Sequence, residues 1–163
     1  MGCCDLRDTR HDLIYHRGKG GFFTKANELI QLFCSSNLKM EEINKLSEQI
    51  LKYAFKVHTD LGPGLLESSY KECLYYVLNK NGIYTEKEKA LPLVYEEIKM
   101  DVGYRVDLIV DHRVIVEIKA VAAFAAIHTA QVLTYLKLSG CKLGLLLNFH
   151  TAHLKEGIKR LVL

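Results

Sequence analysis

An α/β domain, one sheet with helices packed against it in the order ααβββαβ, is the fold this sequence predicts. Three observations predict it. Apolar residues recur at helical spacing between Met40 and Asn81, and strand-like alternation takes over between Ile83 and Ala120. A helical stretch over Ala122–Leu138 is then followed by a short apolar run, Leu143–Phe149, bounded by turn residues. Hydrophobic residues make up 49% of the 163, enough for a sizeable core, and charged residues 25%, ordinary for a protein facing water.

Residues 1–39 read as an N-terminal extension. Met1–Gly21 is mixed in charge and lacks sustained periodicity, the pattern of loop or disorder, and Phe22–Phe33 carries a short helical pattern. Gly2-Cys3-Cys4 hints at lipidation, but the myristoylation pattern requires Ser or Thr at position 6, where this chain has Leu6. The domain is expected over 40–163. Ile43, Leu46, Ile50, Tyr53, Ala54, Val57 and Leu61 mark its first helix, which Gly62-Pro63-Gly64 breaks. A second helix from Leu65 is expected to bury Leu66, Tyr70, Leu74, Val77 and Leu78 and to end at the cap pair Asn81-Gly82. Three strands follow, then the helix ending at Gly140, the buried strand at Leu143–Phe149, and a last strand at Ile158–Leu163.

Composition excludes several classes. No apolar run reaches the roughly 18 residues of a membrane span, and the N-terminus has no signal-peptide stretch. Five cysteines without CxxC spacing give neither a disulfide framework nor a zinc site, so a reducing cytoplasm is expected. The net charge of +3 divides into +2 before Met40 (six Lys/Arg, four Asp/Glu) and +1 after it (sixteen and fifteen). The domain therefore lacks the gross basic footprint of a tight nucleic-acid binder.

The chemistry concentrates in one hairpin, Tyr104–Val110 and Val114–Lys119. Alternation places Val106, Leu108, Val110, Val114, Val116 and Ile118 on one face, and Arg105, Asp107, Ile109, Ile115, Glu117 and Lys119 on the other. A three-residue loop, Asp111-His112-Arg113, pairs Val110 with Val114 and brings Asp107 opposite Glu117. Like charges so opposed destabilise a sheet unless a cation sits between them. Oxygen ligands of this kind suit Mg²⁺ or Mn²⁺. Lys119, two residues beyond Glu117 on the same face, can stabilise negative charge on a phosphate, which completes the groups needed for phosphodiester hydrolysis. A Glu-x-Lys triplet is also common on a solvated strand face, and Glu97-Ile98-Lys99 is a second example in this chain.

Gly64-Leu65-Leu66-Glu67-Ser68-Ser69-Tyr70 resembles the signature of the GxxExxY proteins, a group within the PD-(D/E)XK nuclease superfamily. The resemblance covers Glu42–Leu163 and includes Leu61-Gly62-Pro63-Gly64, Asp107, Glu117-Ile118-Lys119 and Asn148-Phe149. It implies a mixed central sheet flanked by helices, the PD-(D/E)XK nuclease-like core. It implies Asp107 and Glu117 as metal ligands, Lys119 as the catalytic lysine, and Glu67 as a helical glutamate added to the metal site. Gln131-Val132-Leu133-Thr134-Tyr135 resembles the QxxxY motif of the RecB-like exonuclease branch, which implies catalytic roles for Gln131 and Tyr135. The superfamily's Pro-Asp pair is Val106-Asp107 here, a position that varies among members. Without the resemblance, Glu67 reads first as a first-turn compensation of the helix dipole, ahead of any catalytic role. Standing alone, the Gln131/Tyr135 pair reads first as a helix surface. His150 and His153 have metal-like spacing but no third ligand nearby, and read as surface histidines; His58 reads as a cap on its own helix's carbonyls.

The expected function is that of a Mg²⁺- or Mn²⁺-dependent nuclease acting on DNA or RNA in the cytoplasm, without membrane association. The alternative is a catalytically inactive module on the same fold that binds nucleic acid or a protein partner.

Overall fold

The computed structural model describes residues 22–163, so the loop or disorder expected over Met1–Gly21 falls outside the described residues. By backbone contacts the chain divides into Met1–Asn37 and Leu38–Leu163, and the fold below is that of the second unit. The helical pattern of Phe22–Phe33 and the helix opening at Met40 are one helix, α1, Phe22–Leu61. No glycine or proline lies inside it, so nothing in the backbone stops the helix at the expected boundary.

The break comes at Gly62-Pro63-Gly64. Gly62 (φ 69°) and Gly64 (φ 110°) adopt backbone angles that side chains with a Cβ resist. Helix α2 follows, Glu67–Lys80, ending at Asn81 with Gly82 beyond it at φ 77°. Its buried stripe is Tyr70, Leu74 and Leu78. Leu66, expected in that stripe, is the extended residue just before the helix and is 75% exposed, because helical spacing does not govern a position outside the helix.

Five strands form one mixed sheet in chain order: β1 Thr85–Tyr95, β2 Ile98–Val110, β3 Val114–Lys119, β4 Leu143–Asn148 and β5 Ile158–Val162. Neighbours are antiparallel except β3 and β4, which run parallel and need the crossover through α3, Ala126–Ser139. That helix starts four residues later than its apolar pattern, because Val121 is tied by both backbone groups to Asn148 and Ala125 is extended. A 3-10 turn, Leu154–Gly157, leads into β5.

The sheet is covered on both sides. On one, Ile50, Ala54 and Val57 of α1 and Tyr70, Leu74 and Leu78 of α2 pack on Leu108, Val110, Val114, Val116, Ile118, Leu145 and Leu147. On the other, Val132, Tyr135 and Leu136 of α3 pack on Ile109, Ile115 and Leu146. Every residue of β4 is buried, as a central strand between two helical layers requires. At Gly144 a Cβ would lie 2.5 Å from Val132 Cγ1, so the close approach of α3 to β4 needs glycine. The expected alternation holds for Leu108–Val110 and Val114–Ile118, but Val106 joins the α3 side. The departure coincides with an interruption of β1–β2 pairing at Glu88, whose φ is 55°.

Candidate metal centre

The hairpin has the expected register, Val110↔Val114, Ile109↔Ile115 and Leu108↔Val116, and the ladder ends there. One residue further, Asp107 does not face Glu117 as a paired residue. Its Oδ2 accepts the Ile118 N–H at 2.9 Å, so the side chain takes over where the backbone ladder stops. Its Oδ1 accepts from Lys71 Nζ at 3.2 Å. The repulsion expected between two opposed carboxylates is therefore compensated on the Asp107 side.

The strain remains on Glu117. This residue is 2% exposed, its Oε1 accepts from Lys119 Nζ at 2.6 Å, and its Oε2 is buried without a hydrogen-bond partner. Burial, reinforced by the charge of Asp107 and opposed by Lys119, pushes its carboxyl up to about 7. Burial works against the Lys119 ammonium too, but Glu117, Glu67 and Asp107 outweigh it and hold its pKa above the usual lysine value. Glu67 opens α2 with its Oε1 3.7 Å from Lys119 Nζ. Tyr70 explains how that helix start is fixed. Its hydroxyl donates to the Gly62 carbonyl at 2.6 Å and accepts the Leu65 N–H at 3.0 Å, and its ring stacks on Phe149 at 4.6 Å.

Glu67, Asp107, Glu117 and Lys119 thus converge. Gln131 and Tyr135 sit beside them with their hydrogen bonds directed elsewhere. Gln131 Nε2 donates to the Tyr135 hydroxyl at 2.6 Å, and that hydroxyl donates to the Arg105 carbonyl at 3.2 Å, two residues before Asp107. Burial, with the charge of Glu117, pushes the Tyr135 phenol up to about 12, so it stays a neutral donor.

Lys71 and Glu88 are not apparent from sequence, nor are the partners of Arg105, Asn148, Phe149 and His58. Lys71 joins Asp107 to Glu88, and Arg105 lies 3.6 Å from Glu88. The signal for Lys71 was its place one turn after Glu67 on the same helical face. Asn148 bonds Val121 through both amide atoms, and Phe149 N–H donates to the Lys119 carbonyl at 2.8 Å, fixing the end of β3. His58 is not a cap on its own helix. It is buried, and its Nε2–H donates to the Thr151 carbonyl at 2.9 Å. His150 and His153 are exposed, as expected. Glu97 and Ile98 of the second Glu-x-Lys triplet are exposed at the tip of the β1–β2 hairpin, away from the buried carboxylates.

Among the described residues no three His, Cys, Asp or Glu side chains converge closely enough to cage an ion. The donors that do converge are carboxylates, and one buried carboxylate oxygen lacks a partner. That set suits a hard divalent cation, which takes one or two protein carboxylates and keeps its remaining waters. Among the described residues no helix is long and apolar enough to cross a membrane.

No curated protein and no solved structure matches this chain. Residues 44–161, which span both helical layers and all five strands, match a known family, and the chain belongs to the PD-(D/E)XK nuclease superfamily.

Proposed function

We propose that this protein is a Mg²⁺- or Mn²⁺-dependent nuclease of the GxxExxY type, hydrolysing phosphodiester bonds of DNA or RNA. The observation that carries this reading is the unpartnered oxygen of Glu117, buried beside Asp107 and Lys119 in a chain of nuclease family. A stable fold rarely buries an unpaired carboxylate oxygen, and a cation is its natural complement. Asp107 and Glu117 would hold the ion, with Glu67 contributing from the start of α2. Such an ion, when bound, polarises a phosphoryl oxygen and lowers the pKa of a coordinated water.

The other groups act through their own chemistry. Lys119 places an ammonium where negative charge grows on the phosphate during reaction. Gln131 and Tyr135 steady β2 at Arg105 and with it the backbone leading to Asp107. Free Cys73 and Cys141 support a reducing, cytoplasmic setting.

The test is incubation with single- and double-stranded DNA and RNA in Mn²⁺, Mg²⁺ or chelator. Cleavage should require the metal, and Lys119→Ala should lose about 100-fold or more of the rate while retaining Mn²⁺ binding. Full activity in that variant removes Lys119 from the mechanism. The rival reading, a binding module without turnover, has in its favour that Glu67, Asp107 and Glu117, though neighbours, are not close enough together to cage an ion. Substrate binding with no cleavage in any metal would establish it.

A further inference from the structure

Lys71 follows Glu67 by one helical turn, so both side chains reach the same end of the sheet. Its side chain is only 14% exposed, and its ammonium bridges two carboxylates, Asp107 Oδ1 at 3.2 Å and Glu88. Since Asp107 Oδ2 is engaged by the Ile118 N–H, both oxygens of this carboxylate are occupied, one of them by a cation belonging to the protein itself. Glu88 holds φ 55°, an unusual angle for a residue other than glycine, at the point where β1–β2 pairing is interrupted and its carboxylate meets Lys71.

We propose that Lys71 is a resident cation with two berths: it holds Asp107 in the metal-free protein and withdraws to Glu88 when a divalent ion binds at Asp107. This rests on the metal-dependent reading above. An ammonium and a divalent cation repel one another at this part-buried site, so they do not share one carboxylate oxygen. Withdrawal without a second partner would leave a buried charge uncompensated, and Glu88 supplies that partner. Lys71 is then a positioning residue that acts through Asp107 and sets the concentration of ion the site needs. Lysine and metal compete for Asp107, so whatever loosens Lys71 from Asp107 tightens ion binding.

The experiment is calorimetric titration of Mn²⁺ into the full chain as wild type, Lys71→Met, Glu88→Gln and the double variant, at one pH and ionic strength, with melts in chelator alongside. Lys71→Met should bind Mn²⁺ about 5- to 50-fold more tightly, the range of ordinary coupling between sites, although its melting temperature in chelator falls. Glu88→Gln should bind more weakly, because Lys71 then stays on Asp107. In the double variant the Glu88 substitution should lose most of its effect. A purely structural Lys71 predicts weaker or unchanged binding in Lys71→Met, and either result overturns the proposal. A Glu88 effect undiminished in the double variant overturns the second berth. Should Lys71→Met fail to fold, Lys71→Arg keeps the cation and grips a carboxylate with two donors, so it should weaken Mn²⁺ binding; tighter binding there is equally fatal. Wild type that binds no Mn²⁺ overturns the metal-dependent reading itself, and the inference with it.

Discussion

Glu117 is the residue whose charge the fold resists most. In the unfolded chain its carboxyl titrates near the ordinary 4.5, and in the folded protein at about 7. Between those values the folded state keeps a proton that the unfolded chain has released. Its contribution is therefore fully present below about 4.5 and is lost as pH rises to about 7, a decline of roughly 3 kcal/mol. Melts in chelator from pH 5 to 8 should show wild type losing stability relative to Glu117→Gln across that window. Parallel profiles for the two proteins would show that Glu117 is not strained. The faces of Glu117 and Lys119 were legible in the sequence because strand alternation and a short loop are local rules. Alternation breaks at Val106, however, and the pairing of Asp107 with Glu117 does not form. Lys71 was not legible, since it meets Asp107 from 36 positions away and only the packing of α2 on the sheet brings them together. That same contact explains why the strain expected on both carboxylates is confined to one.

Among the elements, α2 depends most on a single side chain. Tyr70 is fully buried and makes both hydrogen bonds that tie the Gly62–Leu65 turn to the helix. Tyr70→Phe keeps the stacking on Phe149 but leaves the Gly62 carbonyl and the Leu65 N–H without this partner. The expected cost is about 1–3 kcal/mol in denaturant melts, with weaker Mn²⁺ binding as Glu67 loses its fixed start. An unchanged melt would show that water replaces the hydroxyl freely. The spacing from Gly64 to Tyr70, read in sequence as a family signature, is thus in the fold a turn, a helix start and the clasp between them. Helix ends were less legible than helix faces. The start of α3 was misplaced because the bonds of Val121 to distant Asn148 decide where that helix begins, and Leu66 because it lies just outside α2.

For the molecule as a whole, the two apolar layers were legible from periodicity. That the sheet is mixed came only with the family resemblance, and that β3 and β4 are its parallel pair only with the structure, since local pattern does not reveal strand direction. Described core residues begin at Ile43, and the family match begins at 44. A chain beginning at Met40 is therefore expected to unfold in one cooperative transition and to keep any metal affinity of the full chain. Loss of cooperativity would make Phe22–Lys39 part of the folding unit despite its distance in sequence from the site. The clamp of Asn148 on Val121 joins residues 27 apart, across the whole of α3, and secures the strand end that carries Lys119. During synthesis, the hairpin with Asp107 and Glu117 leaves the ribosome well before Asn148 does. A growing chain thus carries the acidic pair without a fixed lysine, and one cut short before β4 carries no assembled centre at all. Assembly of this centre therefore waits until β4 and Asn148 have been made.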